Sequence, residues 1–155
     1  MSNTLIVYYS HSGNTRRVAE RIAEKTNAPL FELIPAVPYP AEYKPLASEA
    51  WAEIQAGQVR PVASMPDLTG ITRLFIGTPQ WCGTMACPVA AFLSEANLAG
   101  VEVIPFCTHG GGGTAKTEPK MQALCPDAVW KPLLGIKGTE LTEQELLDWL
   151  ETVGL

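Results

Sequence analysis

Hydrophobic positions fall along the chain in two alternating patterns. Short strand-like runs, mostly apolar, recur at Leu5–Tyr9, Leu30–Ile34, Leu74–Ile76, Val101–Phe106 and around Val129–Ile136. Each is too short for a helix and rich in β-branched or aromatic residues, which predicts a strand. Between these runs the spacing predicts helices at Thr15–Lys25, roughly Tyr43–Ala56, Val89–Ala96, Ala115–Leu124 and Glu143–Val153. The last carries the clearest punctuation. Thr142 and Glu145 have capping-box spacing, and Leu141 can staple onto Leu146 across the cap.

Strands that alternate with helices predict right-handed crossovers and a parallel sheet covered on both faces, an α/β sandwich. Continuous apolar strands agree with burial on both sides. One zone is irregular. Prolines 35, 38, 40, 45 and 61 interrupt regular structure except for the helix that holds Trp51. No linker composition and no internal repeat appears, so residues 1–155 read as a single domain.

Composition narrows the classes. The chain has 155 residues, 46% of them hydrophobic and 17% charged, with a net charge of −5. An acidic balance excludes the basic footprint of a nucleic-acid binder. No apolar run reaches membrane-spanning length and the N-terminus lacks a leader-like pattern, so no membrane partner and a cytoplasmic location are expected. Cys82, Cys87, Cys107 and Cys125 form no CxxC pair, which predicts free thiols and no metal site.

In parallel α/β sheets ligands bind beyond the carboxyl ends of the strands. The loops after the first, third and fourth predicted strands are "SHSGNT" (10–15), "GTPQWCGTM" (77–85) and "CTHGGGGT" (107–114). Ser10, Ser12, Asn14 and Thr15 all carry groups that donate to phosphate oxygens, and Gly13 lets backbone N–H groups approach closely. A single N-cap needs one such residue, and here four fall within six positions. Arg16 and Arg17 fall in the first helical turn, where a bound anion would offset their conflict with the helix dipole. A Walker loop and a dinucleotide fingerprint are both absent. No cysteine precedes residue 82, which excludes a phosphatase loop here. The strand ends Tyr9-Ser10 and Gly77-Thr78 lack the carboxylates of a receiver domain.

"SHSGNT" after a first strand resembles the [ST]-x-[ST]-G-x-T phosphate loop of the flavodoxins. "PYPAEY", "GTPQWCGTMACPVAAFL" and "FCTHGGGG" resemble blocks that follow in the same order in a bacterial flavodoxin-like subfamily. The resemblance covers nearly the whole chain. It implies a five-stranded parallel sheet in order 2-1-3-4-5 with non-covalent FMN at the strand ends. On that reading Ser10, His11, Ser12, Gly13, Asn14 and Thr15 hold the ribityl phosphate. Thr78, Pro79, Gln80, Trp81, Cys82 and Gly83 then flank the isoalloxazine, with Trp81 stacked on it and the Gln80–Gly83 backbone at its edge. Thr108, His109, Gly110 and Gly111 complete the site. The third loop lacks the second aromatic common in flavodoxins, which leaves only His109 to approach the outer ring face.

The resemblance implies a low-potential electron carrier between a reductase and an acceptor protein. An FMN-dependent NAD(P)H:quinone oxidoreductase and a binding module without cofactor are the alternatives.

Overall fold

The computed structural model describes residues 3–155. Seven strands and five helices alternate as β1 (Thr4–Tyr8), α1 (Asn14–Thr26), β2 (Leu30–Glu32), α2 (Tyr43–Gln55), β3 (Arg73–Trp81), β4 (Thr84–Met85), α3 (Cys87–Glu95), β5 (Glu102–His109), α4 (Thr117–Leu124), β6 (Val129–Trp130), β7 (Leu134–Lys137) and α5 (Glu143–Thr152). The main sheet has the order β2-β1-β3-β5-β6, with every neighbouring pair parallel. Strand β7 also lies parallel to β5, further along it. The fifth position of the expected 2-1-3-4-5 order is therefore filled by two short strands. Pro132 lies between them, where it has no N–H to offer the ladder.

Strand alternation sorts the core into two layers. Leu5, Val7, Leu74, Ile76 and Val103 pack with Leu46 of α2, Val89 and Phe92 of α3 and Met121 of α4. Ile6, Phe75, Ile104 and Phe106 face the other way, against Val18 and Ile22 of α1 and Leu146 and Trp149 of α5. The result is a three-layer α/β/α sandwich. Gly77 leaves no room for a side chain, since a Cβ there would lie 2.2 Å from Phe106 Cζ.

The α5 cap has the anticipated geometry. Glu145 N donates to Thr142 Oγ1 at 3.1 Å, and Thr142 N donates to Glu145 Oε1 at 2.9 Å. Leu141 and Leu146 both join the buried cluster beneath. Two strands are longer than their apolar runs. β3 continues to Trp81 because Gln80 and Trp81 pair with β4, and β5 continues to His109 because His109 pairs with Lys137 of β7. Pro45 sits in the first turn of α2, where a missing N–H costs no intrahelical bond.

Candidate active-site cleft

The three loops meet at one cleft of about 410 Å³ above the carboxyl ends of β1, β3 and β5. Its lining includes His11, Ser12, Asn14 and Thr15 from the first loop, and Pro79, Gln80 and Trp81 from the second. Thr108, His109 and Gly110 come from the third. Ser10, Gly13, Thr78, Cys82, Gly83 and Gly111 do not line it. Three lining residues lie outside the three loops: Tyr43 and Leu46 of α2, and Gly138 after β7. Tyr43 was visible in "PAEY", but only the placement of α2 shows that it borders the cleft.

One end of the cleft is built from an uncapped helix. Gly13 holds the N-cap of α1 with φ +98°, and no side chain caps the helix. A left-handed φ is open to glycine at little cost. The first intrahelical bond of the turn runs from Arg17 N to Gly13 O, at 3.0 Å. The Asn14, Thr15 and Arg16 amides precede it and have no helical acceptor. Ser10 turns inward, its Oγ accepting from Gly13 N at 3.1 Å. The Ser12 hydroxyl and Asn14 amide have no partner among the described residues. Thr15 is 1% exposed, and its hydroxyl meets that of Thr108 at 2.8 Å, tying the first loop to the third. Arg16 is not free for an anion in the cleft, because it pairs with Glu32 at the end of β2.

The opposite end is aromatic. The second loop is a β-hairpin, with Gln80 opposite Met85 and Trp81 opposite Thr84. Cys82 and Gly83 turn it with φ +53° and +83°, as a two-residue type I′ turn requires. The Gln80 side chain accepts from Gly83 N and donates to Gly113 O, each at 3.1 Å. Gly83 O accepts from Lys116 N at 2.9 Å. Both backbone groups of Gly83 are therefore engaged inside the protein. Thr78 is likewise internal. It is fully buried, and its Oγ1 donates to Pro79 O and accepts from Ala86 N.

Trp81 meets Tyr39 at 5.1 Å and Tyr9 at 5.5 Å between ring centroids, both nearly perpendicular. His11 meets it edgewise at 6.2 Å. No aromatic among the described residues lies parallel on the indole. His109 organises the glycine-rich loop rather than standing free: its Nδ1 accepts from Gly111 N at 3.1 Å and Gly113 N at 3.2 Å. Burial pushes the Cys107 thiol, beside Thr108, up to about 11. It also pushes Cys87 to about 11, with the Glu53 carboxylate adding to it. Cys82 is exposed at the hairpin tip.

This donor set suits a phosphate-bearing planar aromatic. Free hydroxyl, amide and helix N–H groups sit at one end and an uncovered indole at the other, which matches the two ends of FMN.

The family model described as flavodoxin matches residues 3–153, and the chain belongs to that family. A solved structure from Bacteroides eggerthii superposes with a TM-score of 0.85 at 25% identity, covering 98% of both chains. The Lactobacillus acidophilus flavoprotein in complex with FMN superposes with a TM-score of 0.72 at 24% identity, covering 94% of this chain and 97% of that one. In sequence, the chain is 33% identical over 97 residues to a protein named NAD(P)H dehydrogenase (quinone) from Cupriavidus metallidurans. That match covers 62% of this chain and 47% of the relative. A protein of the same name from Caulobacter vibrioides is 33% identical over 126 residues, covering 74% of this chain and 62% of that one. The chain thus spans about half the length of the first of these relatives. No helix among the described residues is long and apolar enough to cross a membrane.

Proposed function

We propose that this flavodoxin binds one FMN in the cleft and carries electrons at low potential between a reductase and an acceptor protein. The observation that carries the reading is the uncapped first turn of α1, with Ser12 and Asn14 unpartnered, opening onto the cleft that Trp81 walls. On this reading the Asn14, Thr15 and Arg16 amides and the Ser12 hydroxyl donate to the phosphate. Trp81 covers one ring face, and Tyr43, 78% exposed on the cleft rim, supplies the aromatic that the third loop lacks. His109 holds the glycine-rich loop against the site through the Gly111 and Gly113 amides.

Bound FMN would supply the electron-transfer chemistry; the protein sets its surroundings. A chain of net charge −5 makes added negative charge in the cleft costly, which supports a low potential. The same charge favours basic partner surfaces. A carrier of this kind works in the cytoplasm with soluble partners.

A second reading, direct reduction of quinones by NAD(P)H, draws support from the names of the similar proteins. Purified FMN-loaded protein assayed with NAD(P)H and a quinone separates the two. The carrier reading expects turnover only after a reductase is added. Turnover by the protein alone would replace it with the oxidoreductase reading.

A further inference from the structure

The irregular segment between α2 and β3 contributes a side chain that no loop motif predicts. Arg60 is 8% exposed, although its neighbours Val59 and Pro61 are exposed. A buried guanidinium is costly unless every side is engaged. Here the sides are engaged. Nε donates to Glu53 Oε2 at 2.9 Å, Nη2 pairs with Glu49 Oε2 at 2.9 Å and Nη1 donates to Val37 O at 3.1 Å. The planar face lies 3.7 Å from the centroid of Tyr39.

Tyr39 is held twice. Its ring carries the guanidinium, and its hydroxyl donates to the other oxygen of Glu53 at 2.7 Å. Burial and that bond to Glu53 both push its phenol far above the ordinary range, so the hydroxyl keeps its proton. The same ring meets Trp81 at 5.1 Å and 84°. Carboxylates of α2 thus fix Arg60, Arg60 and Glu53 fix Tyr39, and Tyr39 borders the indole that walls the cleft. Nothing else in the proposed function uses this buried cation.

We propose that Arg60 is a positioning residue: acting through Tyr39, it sets the pose in which Trp81 presents its indole to the FMN cleft. The proposal rests on the reading that FMN stacks on Trp81. Arginine is required because it stacks and forks at once, and lysine cannot do both.

The test is a double-mutant cycle of Arg60→Met and Trp81→Phe, read in two ways. Without flavin, the near-UV circular dichroism contributed by Trp81 is isolated by subtracting the Trp81→Phe spectrum. Arg60→Met should change that band, and Arg60→Lys should restore it only in part. With FMN, Arg60→Met should raise the dissociation constant about 2- to 30-fold, the range for side chains that act through a packed neighbour. That penalty should shrink once Trp81 is Phe, a smaller ring with less face to orient. Arg60→Met should also brighten the flavin at full saturation, a readout that loss of global stability does not move.

An unchanged Trp81 band, or equal FMN penalties in both backgrounds, overturns the proposal. A changed band with unchanged flavin binding leaves Arg60 as the positioner of Trp81 and refutes flavin stacking instead. If Arg60→Met does not fold, Tyr39→Leu carries the decision, because it removes the intermediary while leaving Arg60 its carboxylates. An unaltered Trp81 band in that variant overturns the proposal as well.

Discussion

The two ends of the cleft are made by different physics. The α1 end is local: Gly13 turns the chain, and the amides of Asn14 to Arg16 are left open within one helical turn. The Trp81 end is assembled from distant pieces. Tyr9 follows β1, Tyr39 lies between β2 and α2, Arg60 lies between α2 and β3, and Glu53 comes from α2. A site built within one helical turn can lose its side-chain donors without disturbing the fold around it. A site built from interlocked rings and charges fails at each of its members.

The contrast predicts effects of decreasing size. Ser12→Ala combined with Asn14→Ala removes two free donors at the α1 end. Each donor to a charged oxygen is worth about 1.5–3 kcal/mol, so FMN affinity should fall steeply while folding stability stays the same. Titration calorimetry with FMN, alongside urea unfolding, checks both halves. Thr15→Ala should behave differently. Its hydroxyl is engaged by Thr108 in a buried pair, so its loss should lower stability by about 1–3 kcal/mol even without flavin.

Trp81→Ala tests the other end. It should weaken FMN by roughly 1–3 kcal/mol, on the scale of base–aromatic stacking losses, and brighten what remains bound. Equal affinity and equal quenching would place Trp81 in the core alone.

Alkali should act through two buried thiols. Cys87, near Tyr39, and Cys107, beside Thr108, are both pushed to about 11. Their folded values lie above the unfolded ones, so the folded state binds more protons between about 9 and 11. Stability is therefore fully present below about pH 9 and falls as pH rises toward 11, by at most about 1.4 kcal/mol per unit for each thiol. Urea unfolding at pH 7.5, 9 and 10.5 should show this decline, and Cys87→Ala or Cys107→Ala should flatten it.

The smallest expected effect is at the rim. Gly111 and Gly113 donate to His109 Nδ1, so hydrogen exchange at both amides should speed up in His109→Ala while β5 stays protected.

How much of this was legible without coordinates follows the same division. The α1 end could be read because its meaning lies in six consecutive residues, and the sheet order followed from the resemblance those residues began. The split fifth strand could not, because one apolar stretch from Val129 to Ile136 hides a break at Pro132. Pro79 and Gly83 marked a loop, yet pairing across a Cys82-Gly83 turn makes a hairpin that consumes the Gly83 amide. Arg60 gave no signal at all. A lone arginine between exposed residues reads as solvated until α2 brings Glu49 and Glu53 to it.

The most direct test of the site is a paired titration of the flavin-free protein with FMN and riboflavin, followed by flavin fluorescence. The account predicts one quenched FMN per chain and riboflavin weaker by about 100-fold or more, since riboflavin offers the α1 turn no charged oxygens. Equal binding of the two flavins, or uptake of neither, would contradict it.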